Sequence, residues 1–325
     1  MRYLLRKLVL YAFIAWAAVT MNFLIPRLMP GDPVTLLVDR VQGQVDPAAV
    51  EALREAFGLS DANILRQYID YLGSLFSGDL GLSITFYPVP VADVVSGAMP
   101  WTIGLIGVTT VIGFVIGTGL GVLLAWRRGS WTDGFLPGLT FLNAIPYFWM
   151  ALVLVMIFAV NLGWFPVSGA HTPGLRPGWN GEFITSVLWH ALLPAITIVL
   201  ASFANWVIGM RNMMVTVLGE DYVTMAEAKG LPERTVMVRY AARNAILPSI
   251  TGFALSLGTV VGGSMLTEVI FNYPGVGYTL FQAVKNQDFP LMQGMFLYIS
   301  VAVIIANLIA DVVYVFLDPR TRQEA

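Results

Sequence analysis

Few side chains in this chain could perform chemistry, and their spacing argues against most of it. There are two histidines, His171 and His190, and no cysteine. The histidines are not spaced as in His-Glu-x2-His, so no metal site is expected. Neither is placed to serve a nucleophile inside an apolar stretch, which argues against an intramembrane protease. No Gly-x4-Gly-Lys-Ser/Thr loop occurs, so nothing here is built to cradle nucleotide phosphates. The polar residues of interest are isolated ones inside apolar runs. Glu268 lies 20 residues beyond Pro248, about 30 Å along a helix. It is therefore expected near an outer surface, where the carboxylate reaches water, because a charge at mid-membrane costs at least about 2.5–3.5 kcal/mol. A structural or gate-lining role fits it better than proton carriage. Asn143, Pro146 and Asn205 could line a pathway, proline by breaking the backbone ladder and asparagine by offering amide contacts; the plainer reading is that they bridge helices.

What must position these residues is a membrane bundle. Of the 325 residues 57% are hydrophobic and 12% charged, and mean hydropathy is +0.73. A soluble protein typically carries roughly 25% charged residues, so there are too few charges to clothe a water-soluble particle. A net charge of −2 argues against a nucleic-acid partner. Uncharged windows run 8–26, 94–126, 134–175, 183–210, 244–267 and 289–310. A crossing needs about 20 apolar residues, and backbone groups in lipid must satisfy one another, which selects helices. Six transmembrane helices are expected, at roughly 8–28, 101–126, 136–161, 188–211, 249–270 and 291–317. The first reads as a retained signal-anchor. Twelve of the 18 basic residues fall on one side if both termini are cytoplasmic, as the positive-inside rule requires. The glycine repeat 113, 117, 121 suits close helix packing.

Two polar segments are too long to be mere connections. Residues 30–100 are expected outside, with short helices at 47–57 and 62–76 and a membrane-surface helix over 88–100. Residues 212–248 are expected inside. There Glu220 to Lys229 reads as a helix, Gly230 as its stop, and Pro232 as the start of a second helix with Glu233 in its first turn. A rigid helix-turn-helix of this kind can transmit force from a partner.

This inner loop resembles the coupling loop of ABC-transporter permeases, most closely the dipeptide/oligopeptide importer family. The resemblance rests on Tyr222-Val223, Ala228-Lys229-Gly230-Leu231, Arg243-Asn244-Ala245 and Leu247-Pro248. Elsewhere Pro30-Gly31-Asp32-Pro33, Gly78-Asp79-Leu80-Gly81, Tyr273-Pro274-Gly275-Val276-Gly277 and Leu317-Asp318-Pro319-Arg320 fit in order, so it spans nearly the whole chain. The general importer motif opens with Glu-Ala-Ala where this chain has Thr224-Met225-Ala226, a departure associated with the peptide branch. The resemblance implies an all-α integral membrane permease in a bacterial or archaeal cytoplasmic membrane, not an enzyme. It implies four kinds of partner: a second homologous permease, two ATPases that carry ATP and Mg²⁺, an external solute-binding protein, and the lipid bilayer. It also assigns ATPase coupling to Tyr222, Ala226, Ala228, Lys229, Gly230, Leu231 and Arg234, with helix 220–229 docking in a groove on the ATPase and Ala226 and Ala228 permitting close approach.

The expected organisation is a first transmembrane helix (1–29), an external helical segment (30–100), a permease core (101–317, with coupling loop 212–248) and a cytoplasmic tail (318–325). The alternative is a secondary transporter or channel working alone; such carriers usually show repeated halves and mid-membrane ionisable sites, and neither is evident here. Within the leading class, cargo could be peptide, oligosaccharide or a nickel chelate.

Overall fold

A computed structural model describes residues 2–28, 50, 63–260 and 264–317. Among these the regular structure is helical, with one isolated antiparallel bridge between Leu82 and Pro90. Helix α1 is Arg2–Leu28 and α2 is Ile64–Ser77. Helix α3 is Val91–Trp126, α4 is Leu136–Ala144 and α5 is Tyr147–Asn161. Helix α6 is Gly181–Leu218 and α7 is Asp221–Ala228. Helix α8 covers 233–260, α9 is Met265–Ile270, α10 is Val276–Lys285 and α11 is Phe289–Leu317. Three of them are long and apolar enough to cross a membrane, and four such spans exist if α4 and α5 count as one bent crossing.

Several elements differ from the sequence expectation. The helix expected to lie on the membrane surface before the second span is instead the amino end of the continuous helix α3. Pro100, which cannot donate to the ladder, is absorbed within this continuous helix just ahead of a π turn at Ile103–Gly107. The third expected span is broken: α4 and α5 meet at 96°. The cause is local. Pro146 has no N–H, and the residue before a proline is driven out of the helical region; Ile145 accordingly has φ −75° and ψ 125°. Helix α6 contains the fourth expected span, 188–211, and extends beyond it at both ends. The second limb of the inner loop runs without a stop through a π turn at Val236–Ala242 into Arg243–Val260. The fifth expected span falls on two pieces, α8 and the short helix α9, with residues 261–263 outside the described set. Apart from Val50, the helix expected at 47–57 lies outside the described residues, as do the Pro30-Gly31-Asp32-Pro33 cluster and the tail 318–325.

The central packing is α3 against α6. Gly113, Gly117 and Gly121 form the contact stripe of α3 and are all buried. A Cβ on Gly117 would stand 2.5 Å from Trp206 Cβ, and one on Gly121 would stand 2.7 Å from both Met210 Cβ and the Val207 carbonyl. The stripe therefore lets two backbones approach within one subunit, where dispersion between closely spaced atoms does the holding.

Candidate functional site

The loop after α6 owes its shape to one glycine and a short apolar face. Helix α7 ends at Lys229, whose N–H donates to the Met225 carbonyl at 3.1 Å. Gly230 follows with φ +71°, a left-handed conformation that a residue with a Cβ adopts at a cost. Its N–H donates to the Glu227 carbonyl at 2.8 Å, and the N–H of Leu231 reaches the Ala226 carbonyl at 3.4 Å. These bonds cap the helix and turn the chain into α8.

Val223 and Ala226, three residues apart, point the same way and are buried together with Val236 of α8. Trp126 at the end of α3, Val217 and Leu218 at the end of α6, and Leu231 pack around them. Ala226 is only 2% exposed. Its small side chain thus seats α7 on this chain's own bundle and is not available to a partner, contrary to the close-approach role expected for it. The opposite face carries Tyr222, Met225, Ala228 and Lys229, all exposed, and Arg234 is exposed on α8. Leu231 is half-buried.

Asn244, a residue the sequence marked only by its string, ties the two limbs together. Its amide donates to the Tyr222 hydroxyl at 2.9 Å and to the Tyr240 carbonyl at 3.0 Å. Beside it, Ala241 and Ala245 are buried against Met210, Met214 and Ala125. Helix α7 and the start of α8 are therefore packed on the adjoining ends of α3 and α6.

On the far side of the bundle, two buried carboxylates act as helix caps. Glu268 is 0% exposed, so the expectation that it reaches water is overturned. Its Oε1 accepts from the Thr102 hydroxyl at 2.7 Å, and its Oε2 accepts from the Tyr278 N–H at 3.0 Å, in the first turn of α10. Thr102 Oγ1 in turn accepts from the Val276 N–H at 2.7 Å. A buried carboxylate is tolerable when hydrogen bonds satisfy it, and the amino end of a helix is a favourable place for it. The Tyr273-Pro274-Gly275-Val276-Gly277 string now has a reason. A Cβ on Gly275 would lie 2.5 Å from Glu268 Cδ, and one on Gly277 would lie 2.6 Å from Met265 Cα. The Gly169 N–H also bonds to the Phe271 carbonyl at 2.8 Å, tying the 163–180 loop to the same spot.

Asp288 is the second cap, and sequence reasoning passed over it. It is fully buried, with Oδ1 accepting from the Leu291 N–H at 3.0 Å at the start of α11. Oδ2 accepts from the Ser83 hydroxyl at 2.6 Å and from the Thr85 N–H at 2.7 Å. It pins the segment after Gly78-Asp79-Leu80-Gly81 to the last helix.

The pathway candidates are only partly gathered. Asn143 and Pro146 line one cleft at the α4–α5 break; Asn205 is exposed on α6 outside that lining, and Glu268 belongs to the cap cluster. His190 Nδ1 lies 2.8 Å from the Ser186 carbonyl, and the ring of His171 stacks on Trp101.

The long apolar helices, the bent pair and the buried carboxylate caps fit a membrane transport subunit. Comparison with known proteins agrees. Residues 117–323 match the family described as binding-protein-dependent transport system inner membrane component, and the chain belongs to that family. It is 36% identical over 320 residues to the oligopeptide transport system permease protein AppB of Bacillus subtilis, covering 98% of each chain. It is 35% identical over 322 residues to the di/tripeptide transport system permease protein DppB of Pseudomonas aeruginosa, covering 94% of each. To the dipeptide transport system permease protein DppB of Escherichia coli K12 it is 33% identical over 344 residues, covering 100% of this chain and 99% of that one. The chain is a non-catalytic, multi-pass inner-membrane permease component of an ABC importer.

Proposed function

We propose that this chain forms half of a translocation pathway for peptides, paired with a second homologous permease. Two ATPase subunits, holding ATP and Mg²⁺, act from the cytoplasm, and an external binding protein delivers cargo. In this reading the chain crosses six times with both termini inside; α1 and the α8–α9 pair supply the crossings beyond the long apolar helices. Residues 1–29 are the first crossing, 30–100 an external segment, 101–317 the permease core and 318–325 an inner tail. The peptide cargo is favoured by the relatives, whose names specify oligopeptide, di/tripeptide and dipeptide transport.

The observation that carries the coupling role is the two-sidedness of α7. Val223 and Ala226 fasten it to α3 and α6, while Tyr222, Met225, Ala228 and Lys229 face outward. That outward face, with Leu231 and Arg234 flanking the turn, is the surface the ATPase grips. Asn143, Pro146 and Asn205 belong to the pathway wall, since exposed amides on a membrane helix are costly against lipid. Glu268 holds the outer gate through its cap on α10. The test is reconstitution of the chain with its partner permease, ATPases and binding protein in liposomes, followed by uptake of labelled tripeptide. Uptake should require external binding protein and ATP on the ATPase side. Uptake by this chain alone, driven by an ion gradient, would mark a stand-alone transporter instead.

A further inference from the structure

Helix α2 has three faces of three different chemistries. At about 3.6 residues per turn, Gln67, Tyr68 and Tyr71 share one face, Leu65, Ile69, Leu72 and Phe76 a second, and Arg66, Asp70, Ser74 and Ser77 the third. The first face sits on α1. The Tyr68 hydroxyl lies 2.8 Å from Thr20 Oγ1, and Arg27 Nε donates to Gln67 Oε1 at 3.0 Å. The rings of Tyr68 and Tyr71 lie 5.1 and 5.5 Å from that of Phe23. The second face is apolar and open: Leu65 is 65% exposed, Ile69 60% and Phe76 88%, with Leu72 half-buried among them. The third face is polar and exposed along the whole helix.

Helix α1 sets the depth at which this happens. Its uncharged run 8–26 is 19 residues long. That is about 28 Å of helix, close to a hydrocarbon core about 30 Å thick. Arg27 therefore marks one edge of the core. Its guanidinium lies over the Phe23 ring at 3.7 Å, and Nη1 donates to the Phe23 carbonyl at 3.0 Å. A cation at a membrane edge rests its stem on apolar surface in this way. Thr20 is seven residues before Arg27, about 10 Å further in. Contacts with both residues hold this part of α2 at the edge of the core. The face of α1 that carries Thr20, Phe23 and Arg27 continues away from α2 at the same alternating spacing through Trp16, Phe13 and Val9. These three are apolar and 56%, 60% and 64% exposed. Helix α2 thus covers one end of a stripe whose remaining length is the lipid-facing surface of the crossing.

We propose that α2 is an interfacial helix lying in the plane of the outer leaflet. Leu65, Ile69 and Phe76 are sunk among the lipid acyl chains, and Arg66, Asp70 and Ser74 turn to the headgroups and water. Amphipathic helices of this kind bed about 5–10 Å into the boundary between headgroups and chains, the depth that the Thr20 and Arg27 contacts prescribe. A soluble protein covering the same stripe would have to descend toward the level of Thr20, beside the lipid that covers Trp16 and Phe13. The inference rests on the reading above, in which α1 is a crossing with its amino end inside.

The chain has no cysteine, so single cysteines report on it without background of its own. Leu65→Cys, Ile69→Cys and Phe76→Cys probe the apolar face, and Arg66→Cys, Asp70→Cys and Ser74→Cys the polar face. Each variant is spin-labelled and reconstituted with partner permease, ATPases and binding protein in liposomes of phosphatidylethanolamine and phosphatidylglycerol. Power-saturation electron paramagnetic resonance then compares collisions with oxygen, which concentrates in lipid, and with water-soluble chromium oxalate. The oxygen-to-chromium ratio should be several-fold higher at 65, 69 and 76 than at 66, 70 and 74. Equal ratios on the two faces would put the stripe in water. Poor access of both reagents to the stripe would mean that protein covers it. Either result overturns the interfacial helix and leaves the permease reading standing. A membrane-impermeant maleimide should label Ser74→Cys in right-side-out spheroplasts; labelling only in inside-out vesicles would overturn both the outer-leaflet placement and the orientation on which it rests.

Discussion

Replacing Gly275 with alanine should damage this end of the bundle through two neighbours, the Thr102 hydroxyl and the Glu268 carboxylate, and removing the carboxylate, which frees Thr102 to shift, should relieve part of the damage. The added Cβ would lie 2.5 Å from both Cδ and Oε1 of Glu268. Carbon atoms rest at about 3.5–4.0 Å, so the carboxylate must retreat by about 1 Å. Retreat stretches its bonds with the Thr102 hydroxyl (2.7 Å) and the Tyr278 N–H (3.0 Å) together. Overpacking of this kind costs about 1–3 kcal/mol. Glu268→Ala strands the same two buried groups, at about 1–3 kcal/mol for each donor left unmade; Thr102 can rotate its hydroxyl, so about 2–5 kcal/mol is expected. Glu268→Gln keeps an acceptor for the Tyr278 N–H and should cost roughly half as much. The double variant Glu268→Ala/Gly275→Ala should then be more stable than the sum of the singles by about 1–2 kcal/mol, within the range of about 0.5–3 kcal/mol for coupled neighbours. The assay is detergent-solubilised unfolding, by heat or by sodium dodecyl sulfate, followed through tryptophan fluorescence. Additivity within about 0.5 kcal/mol would refute the cap geometry.

Further expectations follow from the same packing. Gly121→Val should destabilise the subunit by about 1–3 kcal/mol, because its Cβ would meet the Val207 carbonyl at 2.7 Å, whereas Gly119→Ala, with nothing within 4 Å, should be neutral in the same unfolding assay. Gly230→Val should uncouple ATP hydrolysis from uptake in the reconstituted complex while the protein still inserts, since φ is +71° there; Gly230→Asn should be milder because asparagine tolerates that conformation. Unchanged uptake in the valine variant would count against the lever. Asp288→Ala strands the Leu291 and Thr85 N–H groups and should cost about 2–5 kcal/mol and speed proteolysis of residues 79–90 from outside; equal proteolysis rates would contradict its role as an anchor.

Much of the helix-turn-helix after α6 was legible in the sequence. Glycine at a helix stop followed by proline at a start is a local rule, and Gly230-Leu231-Pro232 obeys it. The face of α7 was less legible. Which alanine of Ala226 and Ala228 turns inward depends on where Trp126, Val217 and Leu218 lie, and those come from two other helices. The broken third span was half visible. Pro146 signalled a weak ladder, yet a proline also sits inside α3, α6 and α8 without a comparable bend, so the residue alone does not decide the outcome. Glu268 was misplaced because distance along a helix measures depth and says nothing of enclosure. Its partners Thr102 and Tyr278 stand 166 and 10 residues away.

By itself the sequence determined that the chain lives in a membrane as helices, since an uncharged run of sufficient length leaves the backbone no other way to satisfy its polar groups. It likewise determined the elbow between α7 and α8, whose stop and start signals act within a few residues. Only the tertiary structure decided which side of α7 is exposed, which acids are caps and how sharply α4 and α5 bend apart. Each of those depends on atoms brought together from distant parts of the chain, and their energies belong to contacts that no local window contains.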